Sequence, residues 1–239
     1  MARVHSTAVI GPDVQLGERV AVGPHAVLLG RCRIGDDCWL GPGVVIGTPP
    51  EVASVPHEAG WAGPGESSAE ALPGVVVGAG TVLRELTMVH RGWRHETRLG
   101  ANCYVMNKVY IAHDCRIEDG VTMASTATLG GHVRVGAGAN LGMGATVHQR
   151  RVIGPGAMVG MGAVVSRDVP PFGTAFGNPA RLRGVNSVGM TRAGVAEDTI
   201  DSVRSAYEQR RLPESAELHG LATDAFEWWA AAQPQRPLV

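Results

Sequence analysis

Nine histidines are spread through the 239 residues, and His113, His132 and His148 fall in one stretch of the chain with His90 a little ahead of them. An imidazole titrates near neutral pH, so such a side chain can take a proton from a hydroxyl or bind a phosphate. Asp114 follows His113 directly. Neighbouring side chains diverge on a strand, but at a backbone corner both can reach one cleft and form a base with its orienting carboxylate; the plainer reading has Asp114 solvating its turn. Taken one at a time, each histidine reads as a hydrogen-bonded surface group. Their use in chemistry depends on an element that stacks them.

That element is a six-residue repeat. From Leu99 to Val165 an aliphatic residue or Met recurs at every sixth position: Leu99, Val105, Ile111, Ile117, Met123, Leu129, Val135, Leu141, Val147, Ile153, Val159 and Val165. No α-helix keeps one face with that period, whereas short strands joined by tight turns do, and this is the signature of a β-solenoid. Four residues after each aliphatic position stands Cys, Val or Ala, with Arg151 the one exception in this run. Three hexads make an eighteen-residue coil, so His113 and His132 stand near one another on successive coils and His148 lies within the next. Glycine often follows the aliphatic residue (Gly100, Gly136, Gly142, Gly154, Gly160), which is expected to relieve a backbone conformation costly for a residue with a Cβ.

The repeat begins near the N-terminus with Val4, Ile10 and Leu16 and is lost twice, over Thr48–Pro73 and over His90–Arg98. Two loops leaving one prism can wall a site. Beyond Val165, Pro170, Pro171 and Pro179 end the regular coils. The run AEDTIDSVRSAYEQRR reads as an amphipathic helix, acidic early and basic late, and a second helix is expected over Ser215–Ala232. The expected organisation is a β-solenoid body over 1–183, with excursions at 48–74 and 90–98, and a helical domain over 184–239 that caps it.

Composition narrows the partners. A formal net charge of −1 gives no case for nucleic acid or an anionic membrane, and 5% aromatics with 33 Gly suit a thin, repeat-built core. The opening MARVHSTAVIGPD holds no long apolar run, so neither a signal peptide nor membrane insertion is expected, and a cytoplasmic location is. Cys32, Cys38, Cys103 and Cys115 all fall in the small inward slot. They read as buried thiols, and without CxxC spacing no metal site is expected of them.

Several segments together resemble a known family: LRELTMVHRG (83–92), IAHDCRI (111–117), LGGHVRV (129–135), MGATVHQ (143–149), RDVPPF (167–172), GNPA (177–180) and GVNSVGMTRAG (184–194). The hexads resemble the hexapeptide-repeat acyltransferases, whose fold is a mainly β, left-handed parallel β-helix. The ordered set of motifs resembles, within that superfamily, the UDP-N-acetylglucosamine O-acyltransferases of lipid A biosynthesis. The resemblance implies acyl transfer from a phosphopantetheine thioester, on acyl carrier protein or coenzyme A, to a hydroxyl of a sugar nucleotide. It implies no tightly bound cofactor, no metal and no covalent enzyme intermediate. His113 falls on the family's catalytic base, and the Gly131 N–H on its oxyanion donor. His90, His132, His148, Gln149, Asn186 and Arg192 fall on positions that serve substrate binding or site electrostatics, and Met161 on the acyl-chain ruler, where Met shortens the slot to a short or medium chain. The implied assembly is a homotrimer with its sites between neighbouring prisms.

This sequence also departs from the family. Tyr110 stands where a second histidine is usual three residues before the base, and Val188 and Ala193 replace an acidic and a basic nucleotide contact. The donor machinery looks kept and the acceptor machinery altered, so the same chemistry on a different sugar, nucleoside or specialised metabolite is the second reading. A non-catalytic β-helix scaffold ranks below both. A zinc enzyme of the carbonic anhydrase kind ranks low as well, because acyltransferase motifs surround His113 and His132. Arg150, Arg151, Arg167, Arg181 and Arg183 cluster in sequence, a feature that suits either contact with an acidic carrier protein or ordinary solvation.

Overall fold

The structure is a computed structural model that describes residues 1–55 and 72–239. The central part of the expected excursion at 48–74 lies outside the described residues. The chain winds as a left-handed parallel β-helix whose three faces are sheets of ten, eight and seven strands. Strands of mostly two residues pair in register with the coil eighteen residues on, as in Tyr110↔Thr128↔Thr146. The ten-stranded sheet closes with an antiparallel pair, Gly173–Phe176 and Arg181–Val185.

Every aliphatic hexad residue from Leu99 to Val165 is buried, and so are the four free cysteines. Each fully buried Leu or Ile contributes roughly 2 kcal/mol of apolar transfer, and because coils stack, that burial continues along the whole axis. The first coil has a neighbour on one side only, and Val4 is exposed while Ile10 and Leu16 are half-buried. Burial pushes the Cys32 and Cys115 thiols up to about 12, so they stay protonated and behave as small apolar residues.

The glycines after the aliphatic positions serve a purpose other than the one expected. Gly136 and Gly142 do not have positive φ; a Cβ there would come within 2.4 Å of Pro155 N and 2.5 Å of Met161 N on the next coil. Close stacking of backbones excludes a side chain. The left-handed conformation falls two residues later, at Gly138 and Gly144 and also at Asp114, His132 and Arg150.

Both excursions leave the prism at the edge between the eight-stranded and seven-stranded sheets, from adjacent coils. The second is shorter than 90–98, because regular pairing resumes with the strand Thr97–Leu99 against Val75–Val77. Beyond the last coil stand α1 (Ser187–Arg192), α2 (Glu197–Glu208) and α3 (Leu221–Ala231). The helix α2 buries Ile200, Val203 and Tyr207 in a cluster with Phe172 and Met190. Helix does not run unbroken from Ser215. A 3-10 turn over Ser215–Glu217 is followed by Gly220 in a left-handed conformation, and α3 starts after it.

Candidate active site

The corner after the strand Tyr110–Ile111 carries His113 and Asp114, and the equivalent corner one coil on carries Gly131 and His132. His113 Nδ1 lies 2.7 Å from Asp114 Oδ2. The pairing that the sequence left open is therefore made, helped by a φ of 60° at Asp114 that turns its carboxylate back toward the ring. A carboxylate accepts, so the proton sits on Nδ1 and Nε2 keeps its lone pair. The side chain of Asp114 is fully buried and that of His113 is 13% exposed. The base thus keeps an open side while its partner has none.

Asp114 is held by the second excursion. Its Oδ1 accepts the Arg94 and His95 N–H groups at 2.8 and 2.5 Å, and its Oδ2 accepts Trp93 N–H at 3.0 Å. Burial favours the neutral acid, but the bonds from His113, His95, Trp93 and Arg94 outweigh it and hold the carboxyl below its ordinary value. Thr97 Oγ1 accepts Asp114 N–H at 2.9 Å and fixes the turn from below.

The His113 ring lies against the backbone of Gly131. A Cβ at residue 131 would meet His113 Cε1 and Nε2 at 2.7 Å, so glycine is what allows the approach. Both flanking groups are anchored, with Arg150 N–H on Gly131 O at 2.9 Å and His132 N–H on His113 O at 3.0 Å. Among the described residues nothing accepts the Gly131 N–H. At two other corners the matching amide is filled by an aspartate of the next coil, Ala101 by Asp119 and Glu18 by Asp36. A lone-pair nitrogen beside a fixed, open N–H is the arrangement that removes a proton and stabilises an oxyanion.

His132 stands edge-on to His113, with ring centroids 5.1 Å apart, and Trp93 closes the pair at 6.1 and 6.4 Å. Burial first, then Arg150 and His113, drives the His132 pKa down against the opposing pull of Asp114, so His132 is neutral at pH 7. His148, Gln149 and Arg150 form the next corner of the same edge and are exposed. His90 and Tyr110 meet on the other side, with ring centroids 5.3 Å apart. Tyr110 Oη donates to Glu51 at 2.5 Å, and His90 Nε2 is 4.0 Å from the same carboxylate. Burial and Glu51 raise the Tyr110 phenol, so it remains a donor.

Other expected residues lie elsewhere in the single chain. Asn186 caps α1, with Oδ1 accepting Gly189 N–H at 3.0 Å and Nδ2 donating to Gly156 O at 2.9 Å, on a different edge of the prism. Arg192 is exposed in the last turn of α1. Met161 is 78% exposed on the edge between the ten-stranded and eight-stranded sheets, one coil above Met143. Arg151 leaves the expected basic cluster: it is buried beside Asp168. Trp93, Thr97 and Glu51 were not singled out from sequence, because a break in periodicity marks a loop without saying which of its groups turn inward.

His113, Asp114 and His132 offer ligand atoms within 4.8 Å of one another. The donor set does not suit a metal, because three amides and His113 already occupy the four acceptor positions of Asp114.

Comparison with known proteins gives this corner a context. A family model described as Udp N-acetylglucosamine O-acyltransferase, Domain 2, matches residues 168–218, and one described as bacterial transferase hexapeptide (six repeats) matches residues 96–131. The chain is 39% identical over 232 residues to an acyl-[acyl-carrier-protein]–UDP-N-acetylglucosamine O-acyltransferase of Thermodesulfovibrio yellowstonii, covering 87% of this chain and 84% of that one. It is 38% identical over 254 residues to the protein of that name from Caulobacter vibrioides, covering 94% and 92%. Its fold superposes on a UDP-N-acetylglucosamine acyltransferase from Campylobacter jejuni with a TM-score of 0.79 at 24% identity, over 99% of this chain and 96% of that one.

Proposed function

Because the chain belongs to the acyl-[acyl-carrier-protein]–UDP-N-acetylglucosamine O-acyltransferase family, we propose that it moves an acyl group from a carrier-protein thioester to a hydroxyl of UDP-N-acetylglucosamine. The observation that carries this reading is the corner in which His113 Nε2 lies against Gly131, whose N–H has no acceptor among the described residues, while Asp114 fixes the ring. His113 takes the acceptor hydroxyl proton as the oxygen attacks the thioester carbon. The developing oxyanion is met by the Gly131 N–H, a donor of a kind worth about 3 kcal/mol to the transition state. The tetrahedral adduct then expels the thiolate, which receives the proton from His113. Asp114 stays ionised and supports the imidazolium between the two steps. No covalent enzyme intermediate and no cofactor is needed.

Neutral His132, with His148, Gln149 and the His90–Tyr110–Glu51 cluster, lines the acceptor side of the same edge. Asn186 and Arg192 serve the acceptor of a neighbouring copy in a homotrimer, where Met161 likewise limits a short or medium acyl chain. The distance of these three residues from His113 around the prism favours sites completed between copies.

For the carrier, the support is a groove of 760 Å³ near the last coil, lined by Arg167, Arg181, Arg183 and Arg210, with Glu208 the one acidic side chain among the described residues of its walls. Arg167 occupies the corner three coils above His113 on the same edge, about 14 Å away by strand spacing. A phosphopantetheine arm spans that interval. The test is a matrix of acyl-carrier and acyl-coenzyme A thioesters against sugar nucleotides and free sugars, read by thiol release and product mass. UDP-N-acetylglucosamine is expected to be acylated from the carrier donor. Turnover restricted to another acceptor would support the altered-acceptor reading, and no thiol release with any pair would overturn acyl transfer.

A further inference from the structure

Arg151 is the residue that breaks the hexad rule, since every other small slot between Leu99 and Val165 holds Cys, Val or Ala. It is 9% exposed, and its Nη1 lies 3.2 Å from Oδ1 of Asp168, an ion-pair contact without hydrogen-bond alignment. Asp168 is fully buried and ties three segments together. Oδ1 accepts Val152 N–H at 2.9 Å, and Oδ2 accepts the Gln235 and Arg236 N–H groups at 2.8 and 2.6 Å. The C-terminal tail is sewn to the same point by Asp168 N–H on Arg236 O at 2.8 Å and Leu238 N–H on Asp168 O at 2.9 Å. Burying two charges is a poor way to gain stability, because desolvation offsets most of their attraction and an apolar pair of similar volume commonly does as well. The other hexads follow that apolar solution, so the ion pair needs another reason.

The reason lies two residues back. Arg151 Nε donates to Gln149 O at 3.5 Å, and His148 Nδ1 is 3.1 Å from that same carbonyl. We propose that Arg151 and Asp168 are positioning residues that fix the corner bearing His148 and Gln149, with the C-terminal tail as the strap that holds Asp168 in place. The chain of contacts runs from tail amides to carboxylate, from carboxylate to guanidinium, and from guanidinium to the carbonyl on which the His148 ring rests. The inference rests on the acyl-transfer reading for its consequence and not for its geometry.

The experiment compares Arg151→Met, Arg151→Lys and Gln235→Pro with the parent chain. Arg151→Met removes the guanidinium while Asp168 keeps its three amide donors, and Gln235→Pro deletes one strap amide without touching the core. In Arg151→Met the acceptor KM is expected to rise about fivefold, with kcat and the donor KM within twofold, the pattern of lost acceptor binding. Arg151→Lys should recover part of that loss, and Gln235→Pro should reproduce it in weaker form. The His148 ring resonances, observed by NMR without substrate, should shift and broaden in Arg151→Met and in Gln235→Pro. Unchanged His148 resonances in both variants would overturn the proposal whatever the activity. So would a folded Arg151→Met whose acceptor KM matches the parent. If the parent chain transfers no acyl group, the acyl-transfer reading fails and the ring resonances still decide the positioning claim; if Arg151→Met does not fold, Gln235→Pro carries both readouts.

Discussion

At residue 131 the fit between ring and backbone is close enough to predict a sharp effect. Gly131→Ala would push a methyl against His113 Cε1 and Nε2, and acyl transfer is expected to fall at least about 100-fold, as when an oxyanion donor is lost. The melting temperature should move by only a few degrees, since the buried residue 131 faces the His113 ring and not the stacked aliphatic side chains, and activity within threefold of the parent would contradict the role given to the ring. His132 supplies a second check. Its imidazole NMR titration is expected to show a midpoint below the free value of about 6.5, and a midpoint above that value would remove the neutral partner from the site. Because the neutral form is favoured in the fold, this residue's contribution to stability is complete above that pH and declines as pH falls through 6.5 toward the lower folded value. Much of this was legible beforehand. The nineteen-residue spacing places His113 beside His132, and the adjacent Asp114 suggests a partner. Gly131 was named only through family resemblance, since nothing in its own neighbourhood of sequence says that a ring will lie on it.

The element that makes the corner chemical is the excursion over 90–96, whose three successive amides converge on Asp114. Charge-assisted bonds of this kind contribute about 1.5–3 kcal/mol each. Asp114→Asn keeps acceptor capacity on one atom and places a donor on the other, so it should loosen the excursion and leave His113 without its fixed tautomer. A loss of at least about tenfold in kcat is expected, along with faster hydrogen exchange at Trp93, Arg94 and His95, and unchanged exchange at those amides would disprove the linkage. The pH dependence has a definite sign. The unfolded carboxyl takes its proton near pH 4 and the folded one only at lower pH, so Asp114's contribution is complete above about pH 4 and is lost as pH falls through the lower folded value. Periodicity located this excursion by its absence. It could not show that the loop turns inward, because convergent amides leave no pattern of side-chain types. The unexpected purpose of the glycines has the same origin: the spacing reveals where a Cβ is missing, while the reason, a close neighbour and not an unusual φ, belongs to the stacking of coils.

Across the molecule, the histidine edge, the methionine edge and the cap of α1 lie apart in one chain, and the proposed trimer is what would bring them together. Light scattering on purified protein is expected to give the mass of three 25.0 kDa chains, and a monomer at full activity would refute shared sites. Charge reversal by Arg183→Glu with Arg210→Glu should raise the KM for an acyl carrier more than for acyl-coenzyme A, with the difference shrinking as salt rises. The solenoid itself was readable almost residue by residue, since six-residue periodicity leaves its mark on every coil. How its edges meet in an assembly leaves no such mark. The proposed acyl transfer turns on one imidazole, and its most direct test is the single-turnover rate in His113→Gln against the parent chain, with acceptor affinity measured alongside. The rate is expected to drop at least about 100-fold while acceptor binding stays within threefold; a rate within a few-fold of the parent would mean that some other group removes the proton.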